Sequence, residues 1–320
     1  MTRLGYQIPN YTYPGVDAAG LFPQLITQAK AAEAAGFDRL LLMDHFYQLP
    51  GIGNPDDFML ECYTTLAALA QHTDTIGLSS LVTGNTYRNP AVLAKIVTAL
   101  DVVSAGRATL GIGAGWFELE HNAFGIPFET FTERFEKLEE ALQIIIPMLA
   151  DERPSLDGKH YQVTDAINSP PPLAKVPVMI GGAGEKKTLR MAAQYADESN
   201  LICPPDQIAH KISVLDEHCE RLGRDRSEIT VTRLVMGIVA PTHEEAQASI
   251  DAFVELHGWP ADALEMMRPM LTMGDPDSFG EQIQEMVDAG LDGVTMNLTT
   301  LAHDTDMISL AGEICNSIIP

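Results

Sequence analysis

Short apolar runs of strand-like composition alternate with helix-like patterns along almost the whole chain, and that rhythm leaves few architectures open. The runs fall at residues 3–9, 38–43, 75–82, 108–113, 176–180, 198–202, 229–239 and 293–298. Between them lie amphipathic stretches. Leu21, Leu25, Ala29 and Ala32 mark one face, stopped at Gly36; Leu93, Ile96, Val97, Leu100 and Val103 mark another, opened by Asn89-Pro90. A third face, Phe135, Leu138, Leu142, Ile145 and Leu149, starts with Thr130 and Glu133 at capping-box spacing. Eight strands with intervening helices in 320 residues predict an α/β fold, a (β/α)8 barrel with insertions, in preference to an open doubly wound sheet. The chain reads as one domain over 1–320, interrupted near 115–130, 151–175 and 258–276. The second interruption reads as a short hairpin around Asp157-Gly158 followed by Pro170-Pro171-Pro172. Loops of that length are usually lids or interface pieces.

Charge and cysteine usage narrow the partners. Twenty Lys and Arg against 44 Asp and Glu give a formal charge of −24. Such a surface repels phosphate backbones and anionic membranes, so neither nucleic acid nor a membrane is an expected partner. Any anionic ligand therefore needs a local basic or amide-lined pocket. The longest apolar run, Ala141 to Ala150, is interrupted by Gln143 and Pro147, whereas a spanning helix needs about 20 apolar residues. The N-terminal stretch has no apolar signal core. Cys62, Cys203, Cys219 and Cys315 show neither CxxC nor CxxH spacing, so no disulfide framework or zinc site is expected and the chain reads as cytoplasmic.

In a barrel the chemistry lies at the carboxyl ends of the strands. After the second run come Asp44 and His45. A histidine beside a carboxylate can be held in one tautomer, ready to give or take a proton; a hydrogen-bonded pair closing the strand is the alternative. After the fourth run come Gly111, Gly113 and Gly115. The spacing is not that of a dinucleotide fold, and small residues there leave room for a flat ring. Trp116 stacks on a ligand or packs a lid onto the core. After the fifth run, Gly181-Gly182-Ala183-Gly184 precedes Lys186, Lys187 and Arg190. Exposed amides, a helix N-terminus and concentrated positive charge suit a phosphate, with a plain tight turn as the alternative. No run ends in lysine, which disfavours Schiff-base chemistry. HxH, HExxH and GxSxG are absent, so metal ligands and a hydrolase serine are not expected. His210, His218 and His257 fall on helical patterns and read as solvated.

Taken in order, these strand ends resemble the bacterial luciferase-like superfamily, and within it the coenzyme F420-dependent branch. The resemblance runs from Leu4-Gly5-Tyr6 to Gly290-Leu291-Asp292-Gly293-Val294. It rests on Asp44-His45-Phe46, on Ser80-Leu81-Val82-Thr83 leading into Arg88-Asn89-Pro90, on Gly111 to Trp116, on Phe124-Gly125-Ile126-Pro127 and on Gly181 to Gly184. It implies a luciferase-like TIM barrel, usually dimeric, with FMN or the deazaflavin across the barrel mouth. Carried over by residue, it places Asp44 and His45 beside the reactive ring, with His45 relaying a proton and Asp44 orienting it. It puts a non-prolyl cis peptide at Ser80-Leu81 behind the ring, Thr83 on the ring edge, and Gly181, Gly182, Ala183 and Gly184 on the phosphate; Gly113 and Gly115 would lie against the ring. Some sugar-phosphate-oxidising members carry a glutamate where this chain has Trp116, so a sugar phosphate is not the expected substrate.

The implied activity is hydride transfer between C5 of coenzyme F420 and a small organic substrate, in a homodimer. One alternative is an FMN-dependent monooxygenase fed by a flavin reductase; another is a catalytically idle flavin- or deazaflavin-binding protein. Trp116, Phe117, Trp259, Met266, Met267, Met270 and Met273 fall in the interrupting segments. They suit an apolar or adaptable ligand, a dimer interface or a mobile core piece.

Overall fold

Eight parallel strands close on themselves in the computed structural model, which describes residues 3–259, 263–298 and 305–319. They are β1 (Leu4–Ile8), β2 (Arg39–Leu42), β3 (Gly77–Ser80), β4 (Ala108–Gly113), β5 (Val178–Gly181), β6 (Glu198–Leu201), β7 (Thr230–Val239) and β8 (Gly293–Asn297). Each pairs in parallel with the next. The ring shuts where β8 returns to β1, with Leu4 opposite Val294. This is the expected (β/α)8 barrel, and the closure rules out the open sheet.

Strands covered by helices outside and packed side chains inside are buried on both faces, which is why they read as continuous apolar runs. Successive side chains alternate between the two faces. Outward residues such as Tyr6, Leu40 and Leu42 join the main core with the helices. Among the inward residues, Arg39 and Glu198 form a buried ion pair at 2.5 Å. Leu41, Met179 and Leu81 pack with Val82 and Leu234 as a separate apolar plug. Gln7 and Asn297, at the ends of β1 and β8, hydrogen-bond to each other at 2.7 Å. The chain thus fills its barrel with side chains, and a cavity opens toward the carboxyl ends.

The helix signals are realised locally. The Asn89 side chain accepts from the Ala91 and Val92 amides at the start of helix Pro90–Val103. Thr130 and Glu133 form the reciprocal capping box of helix Phe131–Leu149. Leu21, Leu25, Ala29 and Ala32 are all buried in helix Ala18–Ala34. Val103 departs from its proposed face and is half exposed.

The interrupting segments carry structure of their own. The first holds helix Glu118–Phe124, and the second an antiparallel pair of Leu156–Asp157 with Gln162–Val163, as the Asp157-Gly158 turn predicts. The third differs from a simple lid. Leu271–Gly274 is a strand paired in parallel with Met236–Val239, because ten-residue β7 outruns its neighbours and offers an unpaired edge. Residues 260–262 and the Met266 side chain, which belong to that segment, lie outside the described residues. His218 also departs from expectation. It is buried on helix Ile208–Leu222, with Nε2 2.8 Å from the Glu185 carbonyl. All four cysteines are free and buried. Among the described residues no helix is long and apolar enough to cross a membrane.

Candidate active site

A cavity of about 650 Å³ opens at the carboxyl ends of the strands, within the size range of small-molecule sites. His45, Leu81, Thr83, Gly113, Gly115, Gly181 and Gly182 line it, together with Trp116. Asp44, Ser80, Ala183 and Gly184 do not line it: the first two lie behind its wall and the last two farther along the β5 loop.

His45 takes its orientation from an unforeseen residue. Its Nδ1 lies 2.7 Å from Oε1 of Glu120, a fully buried carboxylate on helix Glu118–Phe124. Tyr87 also donates its hydroxyl to Oε1, while Oε2 receives the Phe46 amide at 2.7 Å and the Tyr47 amide at 3.4 Å. Burial alone raises the Glu120 carboxyl, but the bonds from His45, Tyr87 and Phe46 outweigh it and hold the group below the usual carboxylate range. Burial and the adjoining carboxylate push the Tyr87 phenol far above its ordinary value, so it remains a donor. An ionised carboxylate accepts only. The partner therefore assigns the imidazole proton to Nδ1, leaving Nε2, on the opposite edge of the ring, for a ligand. Trp116 and Phe117 meet the imidazole edge to face, each with centroids 5.8 Å away.

Asp44 does not orient His45. Neighbouring side chains of an extended segment point to opposite sides, so when His45 faces the cavity Asp44 turns into the protein. There Arg88 grips it with two hydrogen bonds, 2.6 and 3.0 Å, and bonds Glu61 at 2.6 Å. Burial pushes the Asp44 carboxyl up, and the Arg88 guanidinium beside it opposes that. Thr83 lines the cavity, yet its hydroxyl is committed inward, donating to Ser80 Oγ at 2.9 Å and lying 2.7 Å from the Tyr63 hydroxyl. Ser80 Oγ in turn donates to the Gly111 carbonyl at 2.9 Å. A buried polar network of Asp44, Arg88, Tyr63, Thr83 and Ser80 thus stiffens the floor. The non-prolyl cis bond is Leu81-Val82, one residue beyond the expected Ser80-Leu81.

The glycines are small for the sake of this floor. A Cβ on Gly111 would lie 2.0 Å from the Ser80 carbonyl oxygen, and one on Gly181 would lie 2.8 Å from Val82 Cγ1. Both close approaches are to the Ser80–Val82 segment that follows β3. The expectation that the glycine run makes room for a ring is thereby refined: at Gly111 the space is already taken by the backbone that forms the cavity floor.

The β5 loop fits an anion. Gly182 borders the cavity, helix Thr188–Tyr195 begins just beyond, and Lys187 places its ammonium 5.3 Å from the ring centroids of Phe131 and Phe135, which line the same side. Arg190 does not contribute, since Glu139 holds it with bonds of 2.8 and 3.1 Å. Arg134, missed in the sequence, lines that side instead. No group of metal-ligating side chains occurs among the described residues.

Glu120, Tyr87, Arg134, Gln7 and Asn297 were not singled out from sequence. A signal existed for Glu120: it lies three residues after buried Phe117 and beside buried His121, which puts an acid on the apolar face of a short helix.

The sequence profile of the luciferase-like monooxygenase family matches residues 2–293. An F420-dependent glucose-6-phosphate dehydrogenase of Microbacterium testaceum (strain StLB037) is 29% identical over 290 residues, covering 83% of this chain and 84% of the relative. Among solved structures, an F420-dependent secondary alcohol dehydrogenase in complex with an F420-acetone adduct superposes with a TM-score of 0.83 at 18% identity, over 99% of each chain. The oxygenating constituent of 3,6-diketocamphane monooxygenase from Pseudomonas putida, a type II Baeyer-Villiger enzyme in complex with FMN, gives 0.78 at 19% identity, over 100% of this chain and 99% of that one. At such identities the two structural likenesses bear on the fold.

Proposed function

The chain belongs to the luciferase-like monooxygenase family, and on that premise we propose that it is an oxidoreductase using coenzyme F420 to move a hydride to or from a small organic substrate. The observation that carries the proposal is His45 at the cavity wall, backed by a buried carboxylate and facing a space bordered by Gly181, Gly182 and Arg134. The residues present fit the cofactor. The β5 loop from Gly181 to Gly184, with Arg134 and Lys187, would hold its phosphate. The apolar floor at Leu81 and Val82 would back the ring.

Bound there, the deazaflavin would supply the carbon that accepts or donates the hydride. The chain supplies the rest. With Nδ1 committed to Glu120, Nε2 of His45 takes the substrate's proton on oxidation and returns it on reduction. Glu120 holds the imidazole in that tautomer. Trp116, Leu49 and Ile52 border the cavity with apolar surface. A proton acceptor fixed by a buried carboxylate is more than an idle binder of the ring requires.

The second reading is an FMN-dependent oxygenating component that needs a reductase partner. The match to the luciferase-like monooxygenase family favours it. A homodimer accompanies either reading. The test is an anaerobic titration with oxidised coenzyme F420 and with FMN, followed by fluorescence quenching. The proposal expects tight deazaflavin binding and weak FMN binding. The reverse preference would transfer the assignment to the reductase-coupled reading, and failure of both to bind would remove the assignment of the cavity.

A further inference from the structure

The cavity has a charged side and an uncharged side, and their placement narrows the substrate class within the deazaflavin reading above, on which this inference rests. Among the described lining residues Arg134 alone carries a permanent charge. Its guanidinium is already engaged. Nε donates to the Gly115 carbonyl at 3.2 Å, a second N–H donates to the Glu129 carbonyl, and the group stacks over Phe128 at 4.1 Å. With Lys187 it lies on the side of Phe131 and Phe135, where the cofactor's phosphate would draw on it.

The remaining wall includes Met43, Leu49, Ile52, Met236 and Met267. Met43 and Ile52 belong to an apolar cluster that continues into Ile250 and Phe253 on helix His243–His257, with Leu49 packed against it. The wall is therefore backed by packed hydrocarbon, and none of the described residues lining it is charged. Gln7 and Asn297 are turned to each other, and Gln7 also donates to the Leu81 carbonyl at 3.3 Å, so they serve the floor. Nε2 of His45 is left to meet one polar group of a ligand.

The geometry points to an uncharged substrate with one hydroxyl or carbonyl for His45 and a hydrocarbon body for the Met43–Ile52–Met236 wall; a phosphorylated sugar does not fit. A phosphate dianion against that wall would give up its hydration with no counter-charge in return, inside a protein whose formal charge is −24. A hydrocarbon chain gains there from leaving water, in proportion to the apolar area it buries.

The test uses the full chain loaded with oxidised coenzyme F420, loading being confirmed by fluorescence quenching. It is titrated by calorimetry with 2-propanol, 2-butanol, 2-hexanol, 2-octanol and glucose 6-phosphate. Affinity for the alcohols should rise roughly fourfold per buried methylene until the wall is covered. Glucose 6-phosphate should give no saturable heat. Ile52→Asp should flatten the alcohol series while deazaflavin quenching persists. Saturable glucose 6-phosphate binding, or alcohol affinity independent of chain length, would overturn the substrate class and leave the deazaflavin reading standing. Absence of quenching at the loading step would overturn that reading and the inference with it.

Discussion

Replacing Glu120 with glutamine separates an orienting carboxylate from a structural one, because the four donors around it are unequally constrained. Two are backbone amides, Phe46 and Tyr47, both directed at Oε2. They cannot reverse polarity, so the carboxamide oxygen of the variant must take the Oε2 position and its NH2 must face His45 and Tyr87. Tyr87 can rotate its hydroxyl and accept. His45 can accept only by moving its own proton from Nδ1 to Nε2, which leaves the cavity-facing nitrogen without a lone pair. The variant is thus nearly isosteric, keeps its backbone bonds, and holds the wrong tautomer.

Positioned acid–base catalysis is worth roughly 10²- to 10⁴-fold, so kcat for hydride transfer should fall by that range while deazaflavin affinity changes little. Removing the charge from these hydrogen bonds should cost about 1.5–3 kcal/mol of stability, a shift of a few degrees in Tm for a chain of this size. The assays are the deazaflavin absorbance change, a thermal melt and nitrogen NMR of the imidazole. The wild-type protein should show the His45 proton on Nδ1 and the variant on Nε2. An unchanged kcat with an unchanged tautomer would refute the orienting role, and unfolding of Glu120→Gln would show that the carboxylate is chiefly structural.

Three further outcomes follow from the geometry. Gly181→Ala sets a Cβ 2.8 Å from Val82 Cγ1; overpacking of this kind costs about 1–3 kcal/mol, and the floor it displaces should weaken deazaflavin binding, with Val82→Ala restoring both Tm and Kd; a single variant as stable as wild type would contradict the packing argument. Arg88→Met strands the buried Asp44 carboxylate, a loss of about 3–5 kcal/mol in chemical denaturation, much of which the added Asp44→Asn should recover; equal loss in the double variant would mean the pair is not coupled. Glu33 accepts backbone amides from Asp74, Thr75 and Ile76 at 2.6–2.9 Å; burial raises its carboxyl, but these bonds prevail and hold it low. The folded protein then binds fewer protons than the unfolded one, so this stabilisation is present above the ordinary carboxylate value, about 4.3, and is lost as pH falls through the lowered one. Glu33→Gln should accordingly show a shallower acid limb in melts run across pH; an unaltered limb would contradict it.

What could be read from the chain was whatever local physics writes locally. The barrel follows from apolar runs at βα spacing, and the caps at Asn89 and Thr130 follow from residue types one turn apart. The proposed anion-binding side likewise rests on glycines before a helix. Long-range partners left no such mark. Glu120 meets His45 across 75 positions, so the adjacent Asp44 stood as the nearer candidate, although strand alternation already argues that two neighbours cannot both face one cavity. Arg190 looked available for a phosphate because its partner Glu139 lies a helix away. Leu271–Gly274 was hidden because its pairing depends on the length of β7, a property of another strand.

The central claim is that this cavity takes the deazaflavin with its phosphate at the β5 loop and its reactive edge toward His45. A crystal structure of the chain with oxidised coenzyme F420 tests it most directly. The account predicts the ring against Leu81 and Val82, the phosphate on the amides between Gly181 and Gly184 with Arg134 and Lys187 nearby, and Glu120 still bonded to Nδ1 of His45. A ring bound elsewhere, or a phosphate lodged against the Met43–Ile52 wall, would contradict it.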